Sequence, residues 1–179
     1  FRSKITNEKL KNRKTLNNNL VKKLKADCKM CLNGFDAIEN KIFPKKTTTI
    51  LYQLENHLKI YCVDDKPVLA QLGTGQVIPN LIIAMENKGL MPAVYVDEGA
   101  VRALLKGADL MAPGIKEMGG EFEEGQVVEI RLLKQEIPFA IGVAKVSSDE
   151  IDPKTKGVAI TIAHILKDEL WNRRNNIMG

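Results

Sequence analysis

The chain has 179 residues, 44% of them hydrophobic and 27% charged, with a net charge of +5. That is enough for one large or two small domains with real cores, and the balance is ordinary for a globular protein. No apolar run approaches the ~20 residues that span a bilayer, nothing resembles a signal peptide, and Phe1 in place of an initiator Met reads as a trimmed residue or short leader.

The charge is uneven. Residues 1–50 hold 13 Lys and Arg against 4 Asp and Glu, a net of +9, and the remainder nets −4. A basic N-terminal third on a mildly acidic body predicts a surface that faces polyanions, with Lys22, Lys23, Lys45 and Lys46 as its candidate RNA contacts. A lysine-rich solvated helix face is the competing reading.

In chain order, residues 1–14 are polar, without a strong period, and read as flexible. From Thr15, Leu16, Leu20, Val21, Leu24, Cys28, Cys31 and Leu32 recur at helical spacing up to Asn33-Gly34, a helix stop. A shorter helix turns Phe35, Ile38 and Ile42 inward and ends before Pro44. Three β-rich runs follow, Thr48–Leu54, His57–Val63 and Pro67–Leu72, joined at Glu55-Asn56 and Asp64-Asp65. Pro79 to Lys88 reads as a helix closed by Gly89. Met91-Pro92 is the expected domain joint, giving units of 1–91 and 92–179. Beyond it Asp97 caps a helix that ends at Gly107, and Pro113-Gly114 turns the chain. Strands are expected over Gln126–Leu133, Pro138–Val146 with a bend or bulge at Gly142, and Val158–Ile165. Ser147 and Glu150 form a capping box. Leu166 to Arg174 closes the chain around Trp171.

Catalytic signals are missing. Gly73-Thr74-Gly75 lacks the third glycine and the strand–turn–helix setting of a dinucleotide loop, and no P-loop, G-x-S-x-G or H-E-x-x-H occurs. His57 and His164 are isolated in sequence and read as packed or surface imidazoles. Cys28 and Cys31 form a CxxC that His57 and Cys62 could complete as a zinc set, which leaves a metal enzyme as an outside reading. The pair lies in a helical pattern rather than on a knuckle, however, so buried thiols are the expectation, with no metal and no cofactor. Glu121, Glu123 and Glu124 read as a solvated face. The expectation is a binding protein, not an enzyme.

The stretch V-D-E-G-A-V-R-A-L-L-K-G-A-D-L-M-A-P-G-I, residues 96–115, resembles the opening of a PUA domain, a small RNA-binding module. A-I-G-V-A, S-S-D-E-I, K-G-V-A-I and D-E-L-W continue the likeness to Trp171. The preceding Ile42-Phe43-Pro44-Lys45-Lys46, followed by three strands and a helix ending in L-M-P, is similar to the N-terminal domain of the MCT family. That resemblance implies an α+β fold, helices on a small antiparallel sheet followed by a PUA pseudo-barrel. It also implies a cytoplasmic translation factor on the small ribosomal subunit, binding its RNA and tRNA. The partner would be a density-regulated-protein homologue, in reinitiation, unusual initiation and release of tRNA after termination. A PUA accessory protein of ribosome biogenesis or RNA modification is the alternative. The RNA-facing residues carried over are Lys106, Gly107, Ala108, Asp109, Met111, Ala112, Pro113, Gly114 and Ile115, with Arg102 and Lys106 supplying charge and main-chain amides receiving the RNA. One departure stands out: Pro79-Asn80-Leu81-Ile82-Ile83 is more apolar than the family's basic version of this helix.

Overall fold

The computed structural model describes residues 1, 5–6, 9–152 and 154–179. The chain is α+β, built from two antiparallel-rich sheets with helices against them. The sequence reading placed no element before Thr15. In the structure Lys9–Lys11 forms one helical turn with Leu10 buried beneath it, and β1 (Arg13–Thr15) pairs with the next strand in the chain. Helix α1 (Asn18–Cys31) therefore starts three residues later than its apolar spacing implied. The reason is local: Asn17 accepts a hydrogen bond from Leu20 N at 3.0 Å and ends the strand by capping the helix. Leu24 and Cys28 point inward from α1, as do Phe35, Ile38 and Ile42 from α2 (Phe35–Ile42).

Strands β2 (Thr49–Gln53), β3 (Lys59–Val63), β4 (Lys66–Gln71) and β5 (Val77–Pro79) continue from β1 in chain order. The expected three-strand meander is thus the centre of a five-stranded sheet. Asp64 and Asp65, both with positive φ (49° and 64°), form the tight turn between β3 and β4 whose twist suits a two-residue hairpin. Asn80 is wholly buried. Its Nδ2 donates to Pro67 O at 3.0 Å and its side-chain oxygen caps α3 (Leu81–Glu86).

The second half holds β6 (Ala93–Val96), α4 (Glu98–Leu105), β7 (Leu110–Met111), β8 (Ile115–Met118), β9 (Val127–Leu132), β10 (Pro138–Ala144), β11 (Val158–Ile165) and α5 (Glu169–Asn172). Their order across the sheet is β7-β11-β10-β9-β6-β8, with β6 and β9 parallel. The two edge strands, β7 and β8, are separated by only Ala112–Gly114. Four residue steps reach roughly 14 Å at full stretch, so the sheet must curl until its edges nearly meet. The result is a half-closed barrel with its seam at A-P-G. Gly142 does sit at an irregularity, where the β10–β11 register slips between Ile141 and Gly142.

The layers share a core. On β9, Val128 and Ile130 face the barrel interior, whereas Val127 joins Ile141, Leu170 and Ile177 in the hydrophobic cluster of the first half. Helix α3 also packs on β10, which explains why Pro79–Ile83 is apolar: Leu81 is wholly buried and this helix is an interlayer wedge. Glu129, on the same strand face as Val127, is wholly buried and ion-paired with Arg131, which also donates to Tyr95 Oη at 3.2 Å. Burial holds the Glu129 carboxyl above its usual range despite that guanidinium.

At the C-terminus Asp168 caps α5, accepting from Trp171 N at 2.9 Å, from Ile165 N at 2.9 Å, and pairing with His164 Nδ1 at 2.7 Å. His164 is therefore a packed imidazole, although not an isolated one. Beyond α5, Ile177 N reaches back to Asp65 O at 2.9 Å and ties the end of the chain to the first sheet.

Candidate nucleic-acid interface

The glycine loop lies on the barrel seam. Asp97 accepts from Ala100 N at 2.9 Å and starts α4 as its sequence implied, and this hydrogen bond holds the exposed carboxyl below its ordinary value. At the other end Gly107 takes φ +104°, Gly107 N donates to Leu104 O at 2.9 Å, and Ala108 N donates to Ala103 O at 3.1 Å. That pair of bonds is a Schellman cap, the standard way for a glycine to close a helix. Ala112 N is likewise committed, to Gly157 O at 3.1 Å, and Ile115 N bonds Ala112 O.

These bonds correct the expectation that loop amides receive RNA at Gly107, Ala108 and Ala112, because those donors are already used inside the fold. Asp109 is also architectural: its Oδ1 accepts from Ile162 N at 2.9 Å and anchors the loop to β11. Ala112 is buried, Ile115 packs on the barrel core, and a Cβ on Gly114 would lie 3.1 Å from Leu110 Cδ1. What the loop offers to solvent is side chain. Lys106 and Pro113 are exposed, Arg102 is exposed in an i,i+4 pair with Glu98 at 3.5 Å, and Met111 is 46% exposed.

Three exposed residues of this candidate surface were missed by sequence reasoning, two apolar and one basic. Leu105 is 44% exposed, and Val158, directly opposite Met111 in the β7–β11 ladder, is 38% exposed. Exposed apolar side chains beside Lys106 and Arg102 give a surface able to pack on bases or riboses while the cations meet phosphates. Lys156 adds another exposed cation immediately before Gly157, whose carbonyl holds Ala112. The run K-T-K-G was its sequence signal.

The four candidate lysines named for the first half do not form one group. Lys22, Lys23, Lys45 and Lys46 are all exposed, and Lys46 has a left-handed φ of 65° in the turn after α2. Lys25 sits 5.4 Å from the Phe43 ring centre and pairs with Glu39 at 3.1 Å, which turns that face of α1 toward α2. Lys22 lies one turn earlier on the same face of α1 as Lys25. Lys23 falls about 100° around the helix and faces the sheet instead.

The cysteines are packed. Cys28 and Cys62 are fully buried, burial pushing the Cys62 thiol up to about 12 and that of Cys28 further still, so neither is a ready thiolate. Cys31 Sγ accepts from Val77 N at 3.3 Å, and His57 is exposed on the β2–β3 turn. Among the described residues no group of three or more His, Cys, Asp or Glu is placed to hold a metal ion.

Comparison with known proteins agrees with this geometry. Residues 5–87 match the Pre-PUA-like domain and residues 92–166 the PUA domain. Translation machinery-associated protein 20 of Schizosaccharomyces pombe is 29% identical over 175 residues, spanning 96% of this chain and 97% of that protein. The chain is a Pre-PUA–PUA protein. Malignant T-cell-amplified sequence 1 of Rattus norvegicus, also 29% identical, covers 80% of this chain and 82% of its own. Among solved structures, a hypothetical protein of Pyrococcus horikoshii superposes with a TM-score of 0.73 at 29% identity, over 90% of this chain and 99% of that one. A PUA domain protein of Aeropyrum pernix, solved with tartrate, gives the same TM-score at 27% identity, over 93% and 92%.

For this Pre-PUA–PUA chain the Schellman geometry sets an expected result. Gly107→Ala puts a Cβ on a left-handed residue and should cost about 1 kcal/mol. At this chain length that lowers the melting temperature by about 2–4 °C. RNA affinity per folded molecule should stay unchanged in a filter-binding assay, since the amides at 107 and 108 serve the helix. A selective loss of affinity would return those amides to the ligand.

Proposed function

We propose that this chain is a non-catalytic, cytoplasmic RNA-binding translation factor. It acts on the small ribosomal subunit with a density-regulated-protein homologue, in reinitiation, unusual initiation and release of tRNA after termination. The observation that carries the reading is the pairing of a Pre-PUA-like and a PUA domain along one chain, with relatives named for the translation machinery over nearly its full length. The two working units are residues 1–91 and 92–179. The seam surface of Arg102, Leu105, Lys106, Met111, Pro113, Lys156 and Val158 takes the end or backbone of a structured RNA. Lys22, Lys45 and Lys46 meet ribosomal RNA at the other end. No helix among the described residues is long and apolar enough to cross a membrane.

Lys106→Glu tests this directly. The residue is exposed, its backbone stays as it is, and the charge offered to phosphate is reversed. Binding to tRNA or to isolated small subunits should weaken at least ~10-fold, which needs only ~1.4 kcal/mol, with thermal stability nearly unchanged. Full binding by a well-folded Lys106→Glu protein would leave the loop as architecture alone.

A further inference from the structure

The first sheet keeps one face partly open. Helix α1 closes over it at β5, where Cys31 meets Val77, and a cleft of about 240 Å³ remains between the helix and the strands on the β1 side. Register explains its lining. Lys14 stands opposite Leu51, and Leu51 opposite Tyr61, so the three share a face, with Lys59 two residues from Tyr61 on that same face. From α1, Leu20, Lys23, Leu24 and Asp27 descend at i, i+3, i+4 and i+7 to form the opposite wall.

The floor is aliphatic and only half-buried at Leu16, Leu20 and Leu51. The rim is cationic, with Lys14, Lys23 and Lys59 against the single carboxylate of Asp27. Among the described residues neither Lys14 nor Lys23 has an ion-pair partner within 4 Å. Lys59 is held by a neutral acceptor, Gln71 Oε1 at 3.3 Å, which also receives the Tyr61 hydroxyl at 3.0 Å. Those contacts decide between ligand classes. A single-stranded RNA wants an aromatic face for its bases. The only ring here, Tyr61, is 6% exposed with its hydroxyl already donated. Leucines give phosphates nothing.

We propose that this groove binds a short segment of a partner polypeptide that combines large apolar side chains with carboxylates. The apolar groups seat on Leu16, Leu20 and Leu51, and the carboxylates meet the lysine rim, whose aliphatic stems extend the floor. Lys23, grouped by sequence with the RNA-facing lysines, belongs to this rim. The inference rests on the partner-bound reading above for the origin of the segment.

The test selects peptides from a random 12-residue phage-displayed library on the immobilised full chain. Synthetic versions of the enriched peptides are then titrated into wild type and into a Lys14→Glu/Lys59→Glu protein shown by melting to be folded. Enriched sequences should pair Asp or Glu with Leu, Ile or Phe, and should bind the variant at least ~10-fold more weakly. Peptides without acidic bias, or equal affinity for the variant, would overturn the proposal. So would displacement of the peptide by a 12-nucleotide uridine RNA that itself loses binding in the variant, which makes the groove a nucleic-acid site. Co-purification with a density-regulated-protein homologue after nuclease treatment reads the partnership separately. If that association survives while the selection fails, the groove assignment falls and the partnership stands; the opposite pair of results keeps the groove and discards that partner.

Discussion

Asp168→Ala is expected to lower the stability of the chain by about 3–5 kcal/mol, because one buried carboxylate serves several donors at once. At this length the melting temperature should fall by roughly 10 °C. The side chain is 5% exposed and satisfies the Ile165 and Trp171 amides and the His164 ring, with the nitrogen of Phe1 3.2 Å away. Its removal leaves those donors without an acceptor and releases the start of α5, the element that carries Leu170 into the first core. The effect should depend on pH. Burial alone would raise the Asp168 pKa, but the hydrogen bond and charge of His164 hold it below 3.8; burial outweighs that same bond for His164 and holds it below 6.5. For both groups the unfolded chain binds more protons. The wild type is therefore fully stabilised above about pH 6.5, weakens as His164 resists protonation, and loses the Asp168 contribution as pH falls from 3.8 through its folded value. Because the carboxylate favours protonation of His164, the gap between wild type and Asp168→Ala should be at least as wide at pH 5 as at pH 7.5, and should narrow as pH falls below 3.8. A gap that stays constant would mean that the loss is one of packing and not of charge.

Gly142 carries the other large expectation. An added Cβ would stand 2.5 Å from Ile160 Cγ2 and 2.6 Å from Thr161 O, and the second of these is backbone in the paired strand. Neither can yield without moving β11, so Gly142→Ala should cost about 2–3 kcal/mol and shift the melting temperature by several degrees. Gly142→Val should leave little soluble protein on expression. An alanine variant that melts with the wild type would show that the β10–β11 irregularity absorbs a methyl group.

The elements legible in sequence were those whose cause is local. Helical spacing from Leu20 to Leu32, the Asp97 cap, the Ser147–Glu150 box, the glycine stop at 107 and the tight turn at Asp64-Asp65 all write their geometry into adjacent residues. Gly89 does not close its helix as expected: α3 already ends at Glu86, with Asn87 as its cap. Strands β1, β5, β7 and β8 were not legible. They are two to four residues long, too short for alternation to show, and exist because a neighbouring strand offers them a ladder. Asn17 is the first of three consecutive asparagines, and only the strand before it singles it out as the cap of α1. The site divided along the same line. Lys106 and Met111 stand in the open as their motif implied, whereas the duties of Asp109 and Ala112 depend on β11, some 50 residues downstream. Only the fold could show that these amides were already spoken for.

The sharing of Val127 and Ile141 between the two halves has a mechanical consequence. A hinge between them would have to expose apolar surface with every swing, so the separation between the barrel seam and the Lys45–Lys46 turn is set when the chain folds. If the seam and that turn both take RNA, as proposed, the molecule works as a ruler. An RNA assembly that presents both contact points at that spacing gains from the second contact as an intramolecular event, at an effective concentration no flexible tether would match. One that presents them at another spacing is held by one end only and leaves quickly.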